Sequence, residues 1–72
     1  MELELIANMF DGVYEVRKGT SVINHKPIYR VFMIEGGKSE MMSTYSSFEN
    51  ALLFCSKHAK LRGMELWERL MN

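Results

Sequence analysis

Cys55 and His58 are the two side chains whose types and spacing come nearest to chemistry. Three apart, they would occupy neighbouring positions on a helix surface, and with His25 they would supply three of the four ligands a structural zinc ion takes. The same cysteine with either histidine as base would begin a nucleophilic site. Such a site also needs an orienting group and an oxyanion donor set, and nothing in the spacing provides them. Cys55 falls instead on an apolar stripe with Phe48, Leu52 and Ala59, where a free cysteine behaves as a small hydrophobe. No metal and no cofactor are expected, and the chain reads as a binding protein rather than an enzyme.

Gly36-Gly37-Lys38 has the composition of a phosphate cradle but lacks the longer glycine-loop spacing, and the residue after Lys38 opens a strand, not a helix. Paired glycines between two apolar runs mark a hairpin turn.

The elements that would position these residues follow from periodicity. Residues 1–10 fit both an alternating strand and one helical face, and the strand is preferred because Asp11-Gly12 can supply the positive-φ residues of a tight turn into Val13–Arg17. Lys18–Pro27 holds Gly19, Thr20, Ser21, Asn24 and the single proline, a loop composition, although Val22-Ile23 could extend an edge strand. Ile28–Ile34 is apolar on both alternating sets, as in a central strand with one face on a helix and the other covered or used. Ser39–Tyr45 returns antiparallel. Ser46 with Glu49 has capping-box spacing. Lys60, Arg62 and Gly63 predict the helix end, followed by a short amphipathic helix over 64–72. The expected architecture is α+β, a three- or four-stranded antiparallel sheet packed on one C-terminal helix, with that short second helix after it. Residues 1–72 make one small domain with its core in 12–63.

At 72 residues a single core gives marginal stability, and the lone cysteine allows no internal disulfide. A protein partner or homodimer formation would supply what is missing. The formal net charge is zero. From Gly12 to Gly63 basic side chains outnumber acidic ones by four, and the flanks are acidic by the same margin. No apolar run reaches the roughly 20 residues that cross a bilayer, and the N-terminus has no secretory pattern, so the expected location is cytoplasmic, away from membranes.

Tyr29-Arg30-Val31, Gly37-Lys38, the helix start Tyr45-Ser46-Ser47-Phe48-Glu49-Asn50-Ala51 and the ending Lys60-Leu61-Arg62-Gly63 together form a pattern. Over residues 12–63 it resembles the small three-stranded DNA-binding domain of tyrosine-recombinase integrases and plant ethylene-response factors. The resemblance implies a sheet that lies in the major groove and presents Arg17, Arg30 and Lys38, with Tyr29 beside them.

Two functions are therefore weighed. One is a protein-binding regulator or inhibitor, encoded by a phage or mobile element, whose contact residues would be Tyr29, Val31, Met33, Trp67 and Met71. It rests on the neutral charge, the two-sided apolar strand and the Met- and Trp-containing tail. The other is a DNA-binding module using Arg17, Arg30 and Lys38. Phosphate contacts dominate DNA affinity, and a neutral chain with acidic flanks places the protein-binding function first.

Overall fold

The computed structural model describes the backbone of residues 3–71 and the side chains of residues 3–63. Four strands, β1 (Glu4–Met9), β2 (Tyr14–Thr20), β3 (Pro27–Glu35) and β4 (Lys38–Tyr45), precede one helix, α1 (Phe48–Met71). The sheet is an antiparallel meander in the order β1-β2-β3-β4, and the helix lies across one of its faces. The class is α+β, and the N-terminal segment is a strand.

Turn chemistry sets the register. Between β1 and β2, Asp11 (φ 57) and Gly12 (φ 83) occupy the central positions of a turn closed by Val13 N–H donating to the Phe10 carbonyl at 3.2 Å. Positive φ at both central positions matches the right-handed twist of the flanking strands. Between β3 and β4 the loop is Gly36 (φ 59) and Gly37 (φ 79) alone, with Glu35 opposite Lys38. The β2–β3 connection closes by Ser21 N–H to the Lys26 carbonyl at 2.9 Å, with Asn24 Oδ1 accepting from Lys26 N–H at 3.0 Å. Val22 and Ile23 sit in that turn, not in a strand, and Ile23 is 90% exposed.

Alternation sorts the side chains into two faces. Tyr14 opposes Met33 and Val16 opposes Val31, while Tyr29 opposes Tyr45; these residues share the face under the helix. Among the described residues the buried core is Tyr14, Val16 and Val31 from the sheet and Ala51 and Cys55 from the helix. Alanine and cysteine at that contact let the helix approach two β-branched valines closely. Around it pack Met9, Met42, Leu52 and Phe54, with Tyr29 against Phe48 and Tyr45 against Phe54 at ring separations of 5.8 and 6.0 Å.

Two local features differ from the sequence expectation. The helix cap is Ser47, one residue later than Ser46: its Oγ accepts from Asn50 N–H at 3.4 Å, and the helix begins at Phe48. Adjacent serines are interchangeable as caps in sequence, and the strand end at Tyr45 selects the second. The helix also does not stop at Gly63. It runs unbroken to Met71, and Gly63 is absent from the positive-φ glycines, so residues 64–71 continue α1 and form no separate helix. A glycine inside a helix is disfavoured by roughly 1 kcal/mol relative to alanine, which good helix formers on both sides, Lys60 to Arg62 and Met64 to Leu66, can override.

Candidate interaction surface

The helix covers one face of the sheet, and the opposite face is uncovered among the described residues. Alternation places Glu15 and Arg17 of β2 and Arg30 and Phe32 of β3 there, and pairing across an irregularity in β4, where Met42 has no partner between Val31 and Phe32, adds Met41 and Thr44. Leu5 of β1 extends it opposite Arg17. Leu5 and Met41 are about half exposed, at 48% and 51%.

The polar groups on this face are organised around Arg17. Its Nε and Nη2 donate to Glu15 Oε1 at 3.1 and 2.6 Å, and its guanidinium carbon sits 4.1 Å from the centroid of the Phe32 ring. The carboxylate and the aromatic face hold that cation in one place. Arg30 stands directly opposite Arg17 in the β2–β3 ladder and opposite Thr44 in the β3–β4 ladder. Its Nε is covered and has no acceptor among the described residues. Like charges directly opposite one another on a sheet destabilise it, and the Glu15 carboxylate bonds only the Arg17 side of the pair.

The structure therefore brings Arg17 and Arg30 together, and it places Tyr29, Val31 and Met33 on the face under the helix, Val31 buried and the other two half-buried. Those three lie beneath the helix. Val31 is 0% exposed, Tyr29 packs on Phe48, and Met33 Sδ accepts from Arg62 Nη1 at 2.9 Å. None of the three lies on the uncovered face: both alternating sets of β3 are apolar, and the helix took the set facing Tyr14 and Val16. Lys38 is exposed at the β3–β4 turn opposite Glu35, away from the arginine pair. Trp67 and Met71 fall outside the residues whose side chains are described. Phe32 and Met41 were missed by sequence reasoning; the signal for Phe32 was its phase, two residues from Arg30 on the strand.

On the other face Cys55 lies in the core and His58 is bonded to Tyr14. Cys55 is buried in the core, and burial pushes its thiol above the ordinary value of 9.0. His58 Nδ1 is hydrogen-bonded to the Tyr14 hydroxyl, and its ring stacks on Phe54 at 5.6 Å. The Tyr14 hydroxyl is likewise raised above 10.0, burial outweighing the opposing pull of Arg62. No group of three His, Cys, Asp or Glu among the described residues is placed to hold a metal ion.

Both shifts have one consequence for stability. A group whose folded pKa exceeds its unfolded value contributes stability that is whole below the unfolded value and is lost as pH rises through the folded one. Stability should thus fall from about pH 9 upward, first through Cys55 and then through Tyr14. Urea midpoints measured from pH 7 to 11 check this, and Cys55→Ala should flatten the first part of the decline. In the native protein at pH 8 the Cys55 thiol should react with a soluble disulfide reagent only as fast as the domain opens.

No helix among the described residues is long and apolar enough to cross a membrane. No protein-family model matches this chain, and no curated protein or solved structure is significantly similar to it.

Proposed function

We propose that this chain is a non-enzymatic protein-binding module of the regulator or inhibitor kind, and that it engages its partner through the uncovered sheet face. The observation that carries this is the make-up of that face: Phe32, Met41 and Leu5 surround two arginines, with Glu15 bonded to one of them. Aromatic residues, methionine and arginine are enriched in the centres of protein interfaces, and lysine is depleted there. Phe32 held by Arg17 is a pre-ordered anchor, which lowers the entropy lost on association.

A second reading, DNA binding by the same face, is favoured by the Arg17–Arg30 pair and by the resemblance to integrase-type domains. It fits less well because the face carries two arginines against Glu15, and few phosphates could be neutralised there.

The test pairs two measurements. Immobilised wild type and Phe32→Asp protein are compared for proteins retained from a lysate of the source organism, and the wild type is titrated with a labelled 30-base-pair duplex at low and physiological salt. A protein retained by the wild type and lost with Phe32→Asp, with no duplex binding, is the expected result. Duplex binding with a steep salt slope, reduced by about one for each of Arg17→Ala and Arg30→Ala, would replace it with the DNA reading.

A further inference from the structure

We infer that the partner segment received by the uncovered face carries a carboxylate, an Asp or Glu side chain set between apolar residues, and that Arg30 is the group that takes it. This rests on the protein-binding reading above and names the chemistry of the partner. Four observations converge on it. Arg17 and Arg30 face each other across adjacent strands, where Cα atoms stand only about 4.5–5.5 Å apart. Arg17 is already matched, bonded to Glu15 and seated on Phe32. Arg30 makes no ion pair with any described residue. Its Nε is covered without an acceptor, so the guanidinium has lost part of its hydration and gained nothing in return.

The unmatched charge sits in the middle of its row, with Leu5 at one end and Thr44 at the other, and the next row holds Phe32 and Met41 beside Glu15, whose carboxylate is turned to Arg17. An incoming anion at Arg30 would therefore be flanked by the Phe32 ring and Thr44, with Glu15 already bonded to Arg17, and in that partly apolar setting a charge-assisted hydrogen bond is stronger than on an open surface. A carboxylate matches the planar fork of arginine with two parallel bonds. Seated opposite Arg30, it would also offset the repulsion within the arginine pair. A polyphosphate backbone fits poorly, because one unmatched arginine cannot follow a line of phosphates and apolar neighbours contribute nothing to it.

The probe is a random dodecapeptide display library selected against the intact immobilised protein. Enriched peptides should share an acidic residue between apolar ones. A synthetic representative should weaken at least about tenfold when that acid is changed to its amide, and by a similar factor against Arg30→Gln. The peptide-side substitution needs no change in the protein, so a folding defect cannot produce it, and backbone amide NMR spectra of Arg30→Gln confirm the fold of that variant. Should enriched peptides depend on Phe32 but be indifferent to Arg30→Gln and to loss of their acid, the carboxylate inference falls and the protein-binding reading stands. No enrichment, or peptides indifferent to Phe32→Ala and Arg30→Gln alike, overturns both. Preferential binding of a short duplex over every selected peptide also overturns both.

Discussion

Val31→Asp should leave the chain unfolded at 25 °C, whereas Phe32→Asp, one residue along the same strand, should leave it folded. Val31 is wholly enclosed between Val16 and the helix residues Ala51 and Cys55. A carboxylate there has no described cation to pair with and no water, a cost of roughly 3 kcal/mol or more. A domain of this size, with five fully buried core residues among those described, has about 3–5 kcal/mol in total. Phe32 points to the uncovered face, where an aspartate remains hydrated; it loses the contact with Arg17 and stands opposite Glu15, a like-charge cost of about 1 kcal/mol or less. Far-UV circular dichroism and urea titration of the two variants read the difference directly. A folded Val31→Asp protein would mean that the helix does not cover this face in solution. The same pair separates the roles of the two faces, since loss of binding in Phe32→Asp would then occur in an intact domain.

Tyr14→Ala should be the next most damaging change, lowering stability by about 3–5 kcal/mol. Tyr14 is 1% exposed and has the largest volume among the fully buried side chains. Its ring meets Phe10 and His58 edge to face at 6.0 and 5.6 Å, and its hydroxyl is bonded to His58. Tyr14→Phe keeps the ring and removes only that bond, for an expected loss of roughly 0.5–1.5 kcal/mol. Thermal melts of both variants in a stabilising osmolyte such as trimethylamine N-oxide, needed because the alanine loss matches the total stability, check the ratio. Equal losses would place the importance of Tyr14 in its hydroxyl, and a small loss for the alanine variant would show that the core collapses around the gap.

Much of this architecture was legible in the residues, and the parts that were not have physical reasons. Asp11-Gly12 and Gly36-Gly37 announce their turns because few residue pairs adopt positive φ twice in succession. The strand character of residues 4–9 followed from the first of those turns. The face of β3 was not legible from β3 itself, since Tyr29, Val31 and Met33 are as apolar as Ile28, Phe32 and Ile34. What decides it lies in β2, where Tyr14 and Val16 alternate with Glu15 and Arg17, together with a register that the irregular loop of residues 21–26 conceals. The end of the helix was misjudged because a lone glycine after basic residues fits a cap, yet no proline or second glycine follows to enforce one. The candidate surface was half visible: Arg17 and Arg30 were singled out by type, but their being opposite one another, with Phe32 beside them, is a product of pairing.

The two-residue glycine turn between Glu35 and Lys38 has a bearing on how such a protein can diversify. A strand that is apolar on both sides does not resist a one-residue slip by its own pattern, and a slip exchanges its two faces. The register of β3 against β4 from the turn back to Phe32, where an extra residue in β4 shifts it, is therefore held largely by Gly36 and Gly37. Descendants of this chain can acquire new specificities by exchanging side chains at Phe32, Met41 or Arg30 while the buried layer stays the same. A residue inserted or deleted between the turn and the shift at Met42 would instead turn recognition groups inward and core groups outward at once along that stretch. Divergence in binding should accordingly proceed by substitution at constant length through this hairpin, and length variation should collect in the loop around Val22 and Ile23.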